Sequence, residues 1–434
     1  MSLDWIASTG QPLQGTVAVP GDKSVSHRAL MLSAIAQGCS TITGFLEGED
    51  TRATARILGQ LGVRIETPGP GIRRVYGVGL HGLKPAAADL DCGNAGTGMR
   101  LLTGLLAGQA FESRLVGDAS LSRRPMRRVT EPLRRMSARI ETAEGGFPPI
   151  RIHISNGIQG IEYQPEVASA QLKSAVLLAG LYAQGETVVR EPAPTRDYTE
   201  RMLAAFGWPI RFEPGRAALT GGHQLRATDV DVPADFSSAA FFLVAGSLVP
   251  GSDILLPAVG MNARRTGLLQ ALRLMGADIE VLRTREQGGE PVADLRVRHA
   301  PLHGIELPES LVPDMIDEFP VLFVAAALAD GPSRFSGIGE LRVKESDRLG
   351  VMAKALRGLG ADVREGADFA ELQGGALAGG EVDSHGDHRI AMSFAIAAQL
   401  ATGPIRIKDC ANVDTSFPGF LALATTCGLG LHPD

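Results

Sequence analysis

The sequence predicts an α/β (α+β) protein of two similar domains, each assembled from three copies of one module, and three observations predict it. The chain has 434 residues, 44% hydrophobic and 21% charged, which is enough for more than one core. An apolar, helix-like run recurs six times, each reaching a glycine followed by alternating β-type residues. A second amphipathic run, turning into another strand, follows every copy.

In chain order the apolar runs are RALMLSAIAQG, MRLLTGLLAGQ, AVLLAGLYAQG, AAFFLVAGSLVPG, VLFVAAALADG and IAMSFAIAAQLATG. The strands that follow them are STITGF, ESRLVG, ETVVRE, SDILLP, SRFSGI and PIRIKD. The second runs are ILGQLGVRIE, PLRRMSARIE, MLAAFGWPIRFE, ALRLMGADIEV, ALRGLGADVRE and LALATTCGLGL. The repeat is roughly 70 residues, longer than the usual solenoid unit and long enough for a small α+β module. Helix, glycine and strand in succession is a general α/β signature, but both halves recur in order in all six copies, which favours true repetition. The third copy ends at ATDVDVPAD and the fourth begins at FSSAAFF. One domain is therefore expected over Gly21 to about Asp235 and the other over 236–434. The leading segment 1–20 could pair with either and is assigned to the second.

A formal net charge of −6 argues against a nucleic-acid or acidic-membrane binder, which gains affinity from a basic surface. Any basic site must be local. Cys39, Cys92, Cys410 and Cys427 form no CxxC pair, so buried, reduced thiols in a cytoplasmic protein are expected rather than a zinc site or a disulfide framework. MSLDWIAS has no long apolar stretch of the kind a secretory signal needs. The richest apolar runs fall short of the roughly 20 residues of a membrane span.

The segments that open the apolar helices carry the chemistry. They are GDKSVSHR, CGNAGTGMR, VASAQLKS, PADFSSAA, PDMIDEFP and SHGDHRIA. A helix N-terminus presents unpaired N–H groups and the positive end of the macrodipole, so Ser, Lys and Arg there suit phosphate or carboxylate. Lys23, Arg28, Arg100, Lys173 and Arg389 are the cations of these openings, and Asp314, Asp317 and Glu318 are acids of the fifth. Loops before the second helices add Arg123 and Arg124, Arg196, and Lys344, Glu345 and Arg348. Two three-module domains can point such openings at one cleft, and an acidic chain that gathers cations there is expected to bind a small polyanion. Any one of these residues taken singly reads as a solvated surface charge. GxxxxGK[ST], HExxH and GxSxG motifs are absent, as is a Rossmann fingerprint after a strand. His385 and His388 in SHGDHR read as capping or hydrogen-bonding residues rather than metal ligands. Lys23, Asp314 and Glu345 make general acid/base chemistry on a phosphate compound the expected class.

The ordered set GDKSVSHR, GNAGTGMR, RRPM, SAQLKSAVLLAGL, ADFSSAAFFL, KESDRL and GDHRIAMSFA resembles the 5-enolpyruvylshikimate-3-phosphate synthase family over nearly the whole chain. The resemblance implies two domains of three βαβαββ modules. It also implies transfer of the enolpyruvyl group of phosphoenolpyruvate to the 5-hydroxyl of shikimate 3-phosphate, with release of phosphate and with neither metal nor organic cofactor. Lys23, Ser24, Arg28, Ser169, Ala170, Gln171 and Arg196 would hold shikimate 3-phosphate, joined by Asp314 and Lys344. Lys23, Gly96, Arg124, Gln171, Arg348 and Arg389 would hold phosphoenolpyruvate. Asp314 would take the proton of the attacking hydroxyl, and Glu345, with Lys23, would protonate the methylene carbon. Family members commonly place a lysine where this chain has Thr415, and a second serine where it has Ala170. A methyl group at Gly96 would crowd an inhibitor longer than phosphoenolpyruvate, so glyphosate is expected to compete. A monomer without nucleic-acid or membrane partners is implied as well.

Two other functions would use the same module. An enolpyruvyl transferase acting on UDP-N-acetylglucosamine usually has Lys-Asn at Lys23-Ser24 and a reactive cysteine in the loop GDASLSRRPM, and this chain has neither. A noncatalytic anion-binding or RNA-end-binding protein on the same module would lack acids among the bases and, for RNA, would be basic. Asp314, Glu345 and the net charge of −6 count against it.

Overall fold

The paired runs of the sequence become paired helices. In the computed structural model, which describes residues 3–434, the first three modules contain α1 (Lys23–Ile35), α2 (Glu49–Gln60), α3 (Gly96–Ala107), α4 (Arg127–Arg135), α5 (Ala170–Gly180) and α6 (Tyr198–Ala205). The last three contain α7 (Phe236–Leu248), α8 (Gly267–Leu274), α9 (Phe319–Leu328), α10 (Arg348–Gly358), α11 (His388–Ala397) and α12 (Phe420–Thr426). Odd-numbered helices contain the apolar runs, and beyond their polar openings they are apolar on every side and buried on every side. Every residue of α7 is buried, and in α9 only Leu328 is not. Even-numbered helices bury one face, as α10 does with Arg348, Leu349, Met352, Ala353 and Leu356.

The glycine stops are placed differently from the sequence expectation. Helix α1 ends at Ile35, and Gly38 already lies in the strand Gln37–Thr43, at φ +110°. The chain passes from helix to strand through an extended Ala36, and the glycine supplies the positive φ that the turn requires two residues later. At its other end α1 starts at Lys23, so KSVS of the opening GDKSVSHR forms the helix's first turn. Asp22 caps it, its carboxylate accepting from the Val25 N–H at 2.8 Å.

The chain divides into two units, one of Gly21–Pro233 with Glu286–Glu290 and one of the remaining residues. Within each, every module makes a sheet on one plan. In the second module, Leu90–Asp91 runs parallel to Ser113–Val116, which is antiparallel to Phe147–His153, itself antiparallel to Arg139–Ala143. The third module repeats this with Glu162–Tyr163, Glu186–Arg190, Arg216–Thr220 and Ile210–Glu213. The first does so with Gln37–Thr43, Ile72–Val78 and Arg64–Gly69, its parallel edge coming from Val230–Asp231 at the far end of the unit.

The second unit follows the same plan with the leading segment built in. Gln14–Thr16 is the parallel edge beside Asp253–Gly260. Trp5–Ser8 lies antiparallel between Ile405–Lys408 and Gly430–Pro433. Trp5 is buried there, stacked on Phe420 with ring centroids 5.8 Å apart. In the fifth module the parallel edge shrinks to bridges such as Glu306 to Arg334.

The central helices pack closely enough to bring their N-termini together. Helix α3 lies against α5, and a Cβ built on Gly104 would stand 2.1 Å from the Ala175 carbonyl oxygen, so only glycine allows that approach. In the second unit α9 packs against both α7 and α11.

Candidate functional site

In the first unit the three helix openings are linked side chain to side chain. Arg28, one turn into α1 and 4% exposed, donates from Nε to Thr199 Oγ1 and from Nη2 to Ser174 Oγ, both at 2.7 Å, and from Nη1 to the Ser24 carbonyl at 3.0 Å. Thr199 also donates to Ser174 at 2.7 Å. The partners of this buried cation are thus hydroxyls and a carbonyl. Burial lowers its pKa to about 10, with Glu200 pulling the other way and neighbouring Arg196 adding to the drop.

Gln171 at the start of α5 joins the second opening to the third. Its amide oxygen accepts from Arg100 Nη1 at 2.8 Å, and its amide nitrogen donates to Thr97 Oγ1 at 2.9 Å. Arg124 donates to Asn94 Oδ1 at 2.6 Å and to Ser120 Oγ at 3.3 Å. Gly96 sits between the two arginines, for a Cβ there would lie 3.1 Å from Arg100 Nη1 and 3.1 Å from Arg124 Nη1. Ser169 caps α5 by accepting from the Leu172 N–H at 3.4 Å, with Ala170 as the first helical residue. Lys23 pairs with Asp50 on α2 at 3.1 Å. Beside Lys23 and Arg28, His27 is fully buried with Nδ1 2.8 Å from Thr54 Oγ1. Burial, then the charges of Lys23 and Arg28, lowers its pKa to about 3, so the ring is neutral.

The second unit gathers acids and guanidiniums at its own three openings. Ser237 of α7 hydrogen-bonds Glu318, which precedes α9, and Arg389 of α11 reaches the same Glu318 oxygen at 3.8 Å. Arg265 pairs with Asp317 at 3.1 Å and Asp235 at 3.6 Å, and Arg264 pairs with Asp314 at 3.2 Å. Asp314, 6% exposed, closes the 3-10 turn Glu309–Asp314.

Arg348, 1% exposed, stands 2.8 Å from Asp387, 2.6 Å from Glu345 and 3.5 Å from Asp317. Burial alone would lower its pKa, but these carboxylates outweigh burial and raise it. Asp387 also caps α11 through the Arg389 N–H at 3.0 Å, so the last opening and the Glu345 loop share one carboxylate. Lys344, half-buried, has its pKa lowered by burial against the pull of Asp317 and Glu340.

Some residues behave otherwise than the sequence suggests. Lys173 is no anion-binding cation: it is 3% exposed, and its ammonium lies 2.8 Å from both Glu191 and Glu200. Its side chain turns away from the α5 opening into a carboxylate pair that the segment VASAQLKS does not contain. Cys39 is exposed rather than buried, because it falls on the outward face of Gln37–Thr43. Thr415 is buried, with its hydroxyl donating to the Asn412 carbonyl at 2.6 Å. His385 has Asp383 as its neighbour, with its backbone N–H donating to that carboxylate at 2.7 Å. Among the described residues no group of three or more His, Cys, Asp or Glu side chains is placed to hold a metal.

Sequence reasoning also missed residues. Asp50, Ser174, Thr199, Arg264 and Arg265 were not singled out. The repeat itself held the signal for the last two, because NARRT enters α8 as SRRPM enters α4 and KESDR enters α10.

Residues 7–423 match the family model described as EPSP synthase (3-phosphoshikimate 1-carboxyvinyltransferase). The chain is 66% identical over 427 residues to a Xanthomonas campestris pv. campestris (strain B100) protein named 3-phosphoshikimate 1-carboxyvinyltransferase, covering 98% of each. It is 65% identical over 428 residues to the protein of that name from Xanthomonas euvesicatoria pv. vesicatoria (strain 85-10), covering 99% of this chain and 97% of that one. Among solved structures it is similar to EPSP synthase from Acinetobacter baumannii, with a TM-score of 0.90, 48% identity and full coverage of both chains.

Proposed function

Because the chain belongs to the EPSP synthase (3-phosphoshikimate 1-carboxyvinyltransferase) family, we propose that its two sets of buried charges divide the work of that reaction, the first unit supplying most shikimate 3-phosphate contacts and the second the proton-transfer acids together with two phosphoenolpyruvate arginines. The chain transfers the enolpyruvyl group of phosphoenolpyruvate to the 5-hydroxyl of shikimate 3-phosphate and releases phosphate, a step toward chorismate and the aromatic amino acids. The match across residues 7–423 carries this conclusion.

Arg28, Arg196, Ser24, Ser169 and Gln171, with the N–H groups at Ala170, hold shikimate 3-phosphate, and Lys344 adds charge. Support comes from Arg28, a buried cation whose partners are neutral and which therefore favours an anion beside it. Lys23, Arg124, Gln171, Arg348 and Arg389 hold phosphoenolpyruvate, with the Gly96 segment lying close. Each charge-assisted bond contributes about 1.5 to 3 kcal/mol. The first unit carries most shikimate 3-phosphate contacts, and the second supplies the acids and two phosphoenolpyruvate arginines.

Asp314 takes the proton of the 5-hydroxyl as its oxygen bonds to C2 of phosphoenolpyruvate. Glu345, assisted by Lys23, gives a proton to C3, and a tetrahedral phosphate ketal results. Removal of a proton from C3 then re-forms the double bond as the C2–O bond to phosphate breaks and phosphate leaves. Positioned acid/base groups of this kind contribute about 10²- to 10⁴-fold. The Glu345 to Arg348 pair, 2.6 Å apart, supports the assignment by fixing the carboxylate beside a donor-binding arginine.

A phosphate-release assay in metal-free buffer, offering either shikimate 3-phosphate or UDP-N-acetylglucosamine, tests the proposal. Release with shikimate 3-phosphate alone, lost in Lys23→Met, is expected. Release with the nucleotide sugar, or none with either, would overturn it. No described helix is long and apolar enough to cross a membrane, and a cytoplasmic monomer is the state proposed.

A further inference from the structure

The loop Glu191–Asp197, EPAPTRD, carries Arg196 between the third module's strand and α6 without secondary structure of its own. Two features fix it from beneath. The Glu191 N–H donates to the Gly215 carbonyl at 2.8 Å. The fully buried Glu191 carboxylate accepts from the Thr195 N–H at 3.3 Å and from the Thr195 hydroxyl, folding the loop back on itself. The cation that satisfies this carboxylate is Lys173, which reaches up from α5. Its Nζ lies 2.8 Å from Glu191, 2.8 Å from Glu200 of α6 and 3.4 Å from the Thr195 carbonyl.

One ammonium thus ties together α5, α6 and the residue just before Arg196. The neighbouring residues, Ser174 on α5 and Thr199 on α6, are the hydroxyls that hold Arg28. The same pair of helices therefore holds the Arg28 guanidinium and the loop that carries Arg196, and the two charges are near enough for that of Arg196 to lower the pKa of Arg28. The ordered loop on this buried ion cluster fixes the backbone from which Arg196 extends.

We propose that Lys173 is a positioning residue for shikimate 3-phosphate: by joining Glu191, Glu200 and the Thr195 carbonyl it holds Arg196 beside Arg28 for the ligand's phosphate. The inference rests on the reading of Arg196 as a phosphate contact. It predicts a role in acceptor affinity for a lysine that never touches substrate.

The test is steady-state kinetics of Lys173→Met, Arg196→Ala and the double variant, varying each substrate with the other saturating. In Lys173→Met the KM for shikimate 3-phosphate should rise about tenfold or more, while kcat and the KM for phosphoenolpyruvate stay within about threefold. The double variant should be no worse than Arg196→Ala alone, because Lys173 acts through Arg196. Lys173→Arg should recover part of the affinity. If Lys173→Met is too unstable to assay, Glu191→Gln, which weakens the loop side of the cluster, should show the same selective rise in KM.

Equal rises in both KM values, or effects of Lys173→Met and Arg196→Ala that multiply, would overturn the proposal. So would an unchanged acceptor KM in Lys173→Met beside a raised one in Arg196→Ala, with the phosphate reading of Arg196 left standing. An unchanged acceptor KM in Arg196→Ala would instead remove that reading, and the proposal with it.

Discussion

Arg28 and Arg348 are both buried, yet their surroundings are opposite. Arg28 is held by Ser174, Thr199 and a backbone carbonyl, and burial lowers its pKa to about 10. Arg348 is held by Asp387, Glu345 and Asp317, and its pKa is raised despite burial. A buried charge with neutral partners is a site awaiting an opposite charge. A buried charge wrapped in carboxylates is stabilised by them and fixes those acids in place, and in the proposed function Arg348 does this while also contacting phosphoenolpyruvate. On the proposed function the difference lets one repeated module serve two purposes: the first unit's openings supply most shikimate 3-phosphate contacts, and the second unit's supply the proton-transfer acids and two phosphoenolpyruvate arginines.

The largest effect expected from this contrast is on stability. Arg348→Met leaves Asp387, which is fully buried, without its cation, and should cost about 3 to 5 kcal/mol, read as a lower denaturant midpoint. Arg28→Met removes no carboxylate's partner, and Ser174 and Thr199 remain bonded to each other, so its stability cost should stay within about 1 kcal/mol. A large loss in Arg28→Met would break the comparison.

Binding reverses the order. Arg28→Met should weaken shikimate 3-phosphate about 100-fold, the equivalent of one or two charge-assisted bonds, as measured by calorimetric titration.

The third effect concerns pH. His27 is held neutral beside Lys23 and Arg28, with a pKa near 3 against 6.5 for a free side chain. Between those values the unfolded chain binds a proton that the folded chain does not, so stability is full above about pH 6.5 and falls on acidification toward 3. The slope from this group approaches about 1.4 kcal/mol per pH unit. In His27→Gln the stability profile should lose one proton's worth of slope in that window, and an unchanged profile would show that His27 is not held neutral.

The smallest effect is at Gly96. The methyl group of Gly96→Ala would meet both Arg100 and Arg124 at 3.1 Å. It should raise the KM for phosphoenolpyruvate about threefold to tenfold, or about 1 kcal/mol, and should weaken competition by glyphosate by more. Parallel inhibition and saturation curves for the two proteins check this.

What the sequence made legible follows from where the signals lie. The central helices could be read because runs such as AAFFLVAGSLV are apolar on every face, and the openings because polar residues crowd immediately before them. Helix α1 ends a few residues before its glycine because Gly38 serves the turn into the strand rather than the helix end. Trp5–Ser8 takes its partners from Ile405–Lys408 and Gly430–Pro433, and nothing local announces a pairing so distant in the chain. Lys173 looked like its neighbours because its carboxylates, Glu191 and Glu200, come from a later strand end and helix. The site cations were visible as residue types. Whether each faces a hydroxyl or a carboxylate, which decides its role, depends on contacts between modules.

The division of labour is tested most directly by calorimetric titration of shikimate 3-phosphate, without phosphoenolpyruvate, into the wild type, Arg28→Met and Glu345→Gln, followed by turnover assays of the same samples. The account predicts that Arg28→Met loses acceptor binding, whereas Glu345→Gln binds it as the wild type does and fails to turn over. Loss of binding in Glu345→Gln with binding retained in Arg28→Met would contradict it.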